Sequence, residues 1–177
     1  MASTYSVAEA QAQLPALLRK VEKDLIVITR RDKTVAYLIS AQRMEAIVET
    51  LEIMADPEAM KALRRAREGR GKYYPANIFD EPDKVELEQQ VVDFIRSLPP
   101  EPRQALRRGL KTLEKEEGDI RALEGELDGF YRLRVLRYRI IFFYHVRRER
   151  RTIRCVYAAP RSIIYEVFAQ RVRELLP

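Results

Sequence analysis

Arg132 and Arg134 alternate with Tyr131, Leu133 and Val135. A period of two is the pattern of a strand, so the two guanidinium groups share one face and the apolar side chains the other. Arg139 begins a second strand of the same type, Tyr138–Val146. The fork of N–H donors on a guanidinium matches phosphate oxygens, and a strand face carrying several of them attracts polyanions, above all nucleic acids. Residues 130–177 hold 12 Arg, no Lys and 3 Glu, a local charge of +9 on a chain whose formal total is +6, so the remainder is net acidic.

The elements that must position these arginines form an antiparallel sheet. Tyr131–Val135, Tyr138–Val146 and Thr152–Ala158 are rich in β-branched and aromatic residues, and Arg147–Arg151 reads as an exposed hairpin tip. Ahead of the sheet, Val85, Val91, Val92, Ile95 and Leu98 mark one helix, ended by Pro99 and Pro100. Pro102 starts another, with Leu106, Leu110 and Leu113 as its apolar stripe and Gly118 beyond its end. Residues 120–129 read as a connection, and Ser162 as the cap of a last helix.

The first half has its own pattern. Ser6 and Glu9 fit a capping box before a helix that Pro15 must kink or restart. Leu25–Arg30 and Thr34–Ile39 read as strands joined by a turn at Arg31, Asp32 and Lys33. Ser40 caps a helix over 41–55, and Asp56-Pro57 opens a further one that Gly69 stops. Residues 70–84 have the composition of a linker, although Tyr73, Tyr74, Ile78 and Phe79 are too apolar to hang free.

The bulk composition excludes several classes. A lone Cys155 and a lone His145 rule out a disulfide framework and argue against a zinc site. Both are expected to be structural residues of the sheet. No leader-like start and no apolar run near 18 residues is present, so the expectation is a cytoplasmic protein without a membrane partner.

Residues Thr4–Ile47, with the SVAEA start, the ITRRDK hairpin and the AYLIS close, resemble the Phd/YefM antitoxin family. The resemblance implies a dimer formed through the sheet and second helix, which binds operator DNA, and a C-terminal tail that wraps a toxin. It places Arg30 against DNA, with Arg31 and Lys33 beside it at the turn. An arginine that commonly follows E-A in the first helix of the family is Gln11 here.

Residues Leu87–Leu176, with GFYRLRVLRYRIIF at their centre, resemble the RelE/ParE toxin superfamily. The ribonuclease branch implies cleavage of ribosome-bound mRNA by attack of a 2′-hydroxyl on the neighbouring phosphate, with no metal and no cofactor. The family's strand basic pair falls on Arg132 and Arg134, its next-strand arginine on Arg139, a further arginine on Arg161 and its C-terminal tyrosine on Tyr165. A degenerate toxin half serving a non-catalytic transcriptional regulator, and a ParE-like gyrase inhibitor, are the alternatives. The superfamily normally opens with a strand, which Ala76–Phe79 supplies or which is missing.

The expected organisation is therefore α+β in two small domains. Residues 1–55 form the DNA-binding and dimerisation domain, 56–84 a toxin-neutralising helix and linker, and 85–177 the toxin-like domain. Met60, Leu63, Tyr73, Tyr74, Ile78 and Phe79 are the neutralising contacts. Operator DNA, mRNA once the toxin half is freed, and a second copy of the chain are the expected partners. Docking of the tail within one chain or between two is left open.

Overall fold

The computed structural model describes residues 2–76, 84–147 and 150–161. The chain is of the mixed α+β type and divides into two compact units, Met1–Val48 and Glu49–Pro177.

In the first unit, β1 (Ala2–Ser6) is followed by α1 (Val7–Ala12), α2 (Leu14–Lys20), β2 (Leu25–Arg30), β3 (Lys33–Leu38) and the start of α3 (Ala41–Met54). The capping box is formed: the Ser6 hydroxyl accepts from the Glu9 N–H, and the Glu9 carboxylate accepts from the Ser6 N–H. Pro15 sits in the first turn of α2, where its missing N–H costs nothing, so the helix restarts rather than kinks. β1 runs parallel to β2, and β3 pairs antiparallel to β2. Ala10, Leu17, Val21 and Ile26 form the core, with Tyr5, Ile28 and Leu38 packed against it. Arg31 and Asp32 make the two-residue turn between β2 and β3, both at positive φ (49° and 62°). Positive φ at both central residues is the twist that joins antiparallel strands tightly, and it is unfavourable for a side chain as large as arginine.

The second unit begins inside α3. It continues through α4 (Pro57–Arg67), β4 (Tyr73–Pro75), β5 (Val85–Glu88), α5 (Gln89–Ser97), α6 (Pro100–Glu114), β6 (Asp119–Ala122), β7 (Tyr131–Val135), β8 (Tyr138–Arg147) and β9 (Arg150–Pro160). Among the described residues the strands run in the order β4-β5-β9-β8-β7-β6, with β5 parallel to β9 and the other pairs antiparallel. One face of this sheet is packed by α5 and α6, through Val91, Val92, Ile95, Leu106, Leu110 and Leu113 against Leu133, Ile140 and Phe142. The other face is packed by Ile53 from the end of α3 and Ala59, Ala62, Leu63 and Ala66 of α4, against Ile141, Val156 and Tyr157.

Four sequence expectations change here. Val85 opens a strand, not a helix: Val85 and Leu87 are buried side by side on β5 before the chain turns into α5. That strand, and not Ala76–Phe79, is the one added beside β9; Ala76 is buried, and 77–79 lie outside the described residues. Residues 120–122, expected in a connection, form β6 with Asp119 along β7. The second helix of the hairpin starts at Pro100 rather than Pro102. The helix expected after Ser162 lies outside the described residues.

Candidate nucleic-acid interface

Strand register puts the arginines together. Arg134 of β7 pairs with Arg139 of β8, and Arg132 pairs with Ile141, so all four side chains leave one face of the sheet. Tyr131, Leu133 and Val135 point to the opposite face, into or against the core under α5 and α6, as the alternation requires. The arginine face is largely covered, although the Arg134 side chain stays 26% exposed. Arg132 is 1% exposed and Arg139 3%.

What lies over them is the last part of α3. Glu49 and Glu52, one turn apart on the helix, aim two carboxylates at the cluster. Glu49 Oε2 is 2.8 Å from Nε of Arg132 and 3.8 Å from Nη2 of Arg134. Arg139 Nη1 donates to Glu52 Oε2 at 2.9 Å and lies 3.8 Å from Glu49 Oε1. The sheet adds an acid of its own. Arg132 Nη1 donates to both the carbonyl and the carboxylate of Asp119 on β6, each at 2.9 Å, and Arg134 Nε lies 3.5 Å from Asp119 Oδ2. Burial, and then the charges of Arg161 and Arg132, pull the Arg134 guanidinium below its ordinary pKa, against the opposite pull of Asp119 and Glu49. Arg161 thus stands near Arg134, and its backbone N–H is fixed to the Arg137 carbonyl at 2.7 Å. Tyr165 lies outside the described residues.

α4 continues the cover. Asp56 is its N-cap: one carboxylate oxygen accepts from the N–H groups of Glu58 and Ala59, and the other accepts from the Tyr157 hydroxyl of β9 at 2.9 Å. Burial and the Asp56 contact push the Tyr157 hydroxyl up to about 12. Leu63 is buried against the sheet, and Met60 packs at the edge of the same cluster. Arg65 pairs with the buried Glu88, whose carboxyl burial holds above its usual range despite that partner. Arg67 donates to the carbonyls of Glu126 and Asp128 and stands 5.2 Å from the centre of the Phe130 ring.

Tyr73 of β4 packs edge-on against Phe143, with the Arg154 guanidinium 4.5 Å from its ring centre. Tyr74 is 38% exposed and makes no such packing on the sheet face. Ile78 and Phe79 lie outside the described residues. Of the six expected neutralising residues, Leu63, Met60 and Tyr73 therefore stand on the sheet, and the arginines themselves are met by Glu49, Glu52 and Asp119, which sequence reasoning did not single out. The available signal was the spacing of Glu49, Glu52 and Asp56, which places three acids along one side of the chain. α4 and the end of α3 lie on the sheet.

In the first unit, Arg30, Arg31 and Lys33 are all exposed, at the end of β2 and around its turn. Val35 and Tyr37 on β3 and Met44 on α3 are exposed apolar side chains. Cys155 is fully buried and its thiol is pushed far up by burial, so it is inert. His145 sits on β8 with its ring edge-on to Phe143. Among the described residues no helix is long and apolar enough to cross a membrane.

Comparison with curated proteins gave no match. Among solved structures, the toxin–antitoxin complex RelBE2 from Mycobacterium tuberculosis is similar at 22% identity with a TM-score of 0.38, over 44% of this chain and 96% of that one. Residues 2–70 match the family model for the antitoxin Phd_YefM of type II toxin–antitoxin systems. The amino-terminal part of the chain, residues 2–70, is thus a Phd/YefM antitoxin domain.

Proposed function

We propose that this chain is a fused type II toxin–antitoxin protein of the cytoplasm. Its amino-terminal half dimerises and binds operator DNA. The end of α3, with α4 and β4, holds a RelE-like mRNA endoribonuclease half latent. The observation that carries this reading is the pair of carboxylates, Glu49 and Glu52, seated on Arg132 and Arg139. A carboxylate on a buried guanidinium occupies the place that a phosphodiester would take. With the tail lifted, Arg132, Arg134 and Arg139 form an electropositive floor able to stabilise the charge of a pentavalent phosphorus intermediate. Arginine is a poor proton shuttle, so the proton transfers fall to another group, for which Tyr165 is the candidate. The exposed Arg30, Arg31 and Lys33 supply phosphate contacts to DNA, and the exposed Val35, Tyr37 and Met44 supply the apolar surface of a dimer.

The test reverses the lid charges in the full chain. Glu49→Lys with Glu52→Lys is expected to arrest growth and cut ribosome-bound mRNA, and adding Arg139→Ala is expected to abolish both. Absence of RNA cleavage and of RNA binding by the charge-reversed chain refutes the toxin reading. A second reading, a non-catalytic regulator, is favoured by one observation. Asp119 ties Arg132 from within the sheet, so that arginine keeps a structural partner after the lid has left. That reading predicts operator binding by the charge-reversed chain, and RNA binding at most, with no cleavage.

A further inference from the structure

Each lid acid meets a group on a different strand, with Arg132 and Tyr157 in one cross-strand row through Ile141 and Arg139 two residues along β8 from it. Glu49, Glu52 and Asp56 contact Arg132, Arg139 and Tyr157, which stand on three neighbouring strands, β7, β8 and β9. Glu49 and Glu52 lie on α3, and Asp56 lies two residues beyond its end as the N-cap of α4. From β7 to β9 is two strand spacings, about 10 Å. That span exceeds one phosphate group.

The third position is built rather than incidental. Ile141 of β8 pairs with Tyr157 while Phe142 pairs with Cys155, so Val156 is an extra residue in β9. This bulge turns both Val156 and Tyr157 to the arginine face, where strict alternation would place only one of them. Without it Tyr157 would point toward α5. The Tyr157 hydroxyl, fixed on Asp56, lies in the same row across the sheet as Arg132 and Ile141.

We infer that Arg132, Arg139 and Tyr157 form one track across the sheet for at least two consecutive phosphodiesters of single-stranded RNA, with Tyr157 as a binding residue at its far end and Glu49, Glu52 and Asp56 as internal stand-ins for the RNA backbone. This rests on the ribonuclease reading and adds to it a direction for the strand, from β7 to β9, and a contact outside the arginine set. A phenol near Arg139 offers the donor that a phosphate or ribose oxygen needs, while the arginines supply the charge.

The experiment uses the full chain carrying Glu49→Lys and Glu52→Lys, with and without Tyr157→Phe, and fluorescein-labelled oligouridylates of two and six nucleotides. Tyr157→Phe is expected to weaken the hexamer about tenfold to a hundredfold, the worth of one hydrogen bond to a charged group, and to leave the dinucleotide unchanged. Equal losses at both lengths, or none at either, overturn the track while leaving the ribonuclease reading in place. No binding by the parent charge-reversed chain overturns both. Photo-crosslinking of a 5-bromouridine hexamer to that parent chain, which carries the native tyrosine, gives an independent readout. The crosslink is expected on the β9 peptide holding Tyr157, and crosslinks confined to other segments overturn the inference.

Discussion

Neutralising the lid acids tests the central contact directly. Glu52→Gln leaves Arg139, which is 3% exposed, beside an amide and with Glu49 Oε1 at 3.8 Å as its remaining carboxylate. Removing one partner of a buried pair costs about 3 kcal/mol, because the other charge stays buried and uncompensated. Glu49→Gln strands Arg132 less, since Asp119 still accepts two bonds from it at 2.9 Å. The double variant Glu49→Gln/Glu52→Gln therefore falls mainly on Arg139, which loses both carboxylates, and its cost is at least the sum of the two single costs. The cheapest escape for the stranded guanidinium is hydration, which requires α4 and the end of α3 to lift. Native-state hydrogen exchange reads this as an opening constant raised about 100-fold, equivalent to about 3 kcal/mol, at the amides of Leu63 and Ala66. The amides of β8 and β9 are expected to keep more of their protection. A second variant supplies the opposite sign: Glu52→Met/Arg139→Met removes both charges, leaves no stranded ion, and is expected to restore α4 protection to within a few-fold of the parent. Parent-like exchange at Leu63 and Ala66 in Glu49→Gln/Glu52→Gln would show that the apolar contacts alone hold the lid, and would refute the electrostatic account.

Two further predictions bear on the rest of the molecule. Burial holds the Glu88 carboxyl above its ordinary value, more strongly than Arg65 lowers it, so the folded chain binds that proton more tightly than the unfolded one. Its penalty is absent below the ordinary carboxylate pKa of about 4.3 and present above the raised one, and stability falls as pH rises through that window. Glu88→Gln is expected to remove this part of the pH dependence of Tm without loss at neutral pH; an unchanged slope would contradict it. Ser6→Ala deletes the hydroxyl that accepts from Glu9 N–H and is expected to cost the first unit about 1 kcal/mol in thermal unfolding. No measurable loss would mean that the restart at Leu14 fixes the helix without its cap.

The elements that the sequence shows clearly are those whose signals are local. The Ser6 capping box, the restart at Pro15, the Asp56-Pro57 opening of α4 and the alternation of Tyr131–Val135 all depend on neighbours within one or two turns. β5 and β6 were missed because four residues are too few to establish a period, and β5 passes straight into a helix. At the site, the shared face of Arg132 and Arg134 was legible, and its burial was not. Glu49 and Glu52 have the look of a solvated helix face, since nothing near them in sequence carries the opposite charge. Their partners lie more than eighty residues away, and only the folded sheet brings them together. Tyr157 was hidden for a different reason: a bulge changes which face a strand residue takes, and the extra residue Val156 leaves no mark in the pattern of apolar side chains.

On the proposed function the lid has to leave, and it must then be held by contacts that can be given up. The geometry at Glu49 meets that need. Among the described residues its Oε1 accepts no hydrogen bond, and Nε of both Arg132 and Arg139 donates none, so charge proximity supplies much of the hold on that side. Desolvated pairs with imperfect alignment recover only part of the cost of burial, and an all-apolar replacement would hold as well or better. The apolar part of the α4 contact is also light. Ala59, Ala62 and Ala66 are three of its four buried residues, and each brings little more than a methyl group, so Leu63 carries most of the helix's own anchoring. Small side chains let the helix lie close to the sheet, yet leave little greasy surface exposed on either side after separation. An apolar substitute for the ion pairs would tighten the closed state and, once opened, present an uncovered hydrophobic face prone to association. Arginines met by glutamates give a closed state of modest strength and an open state that water solvates well, which is the balance that the proposed function requires of a releasable cover.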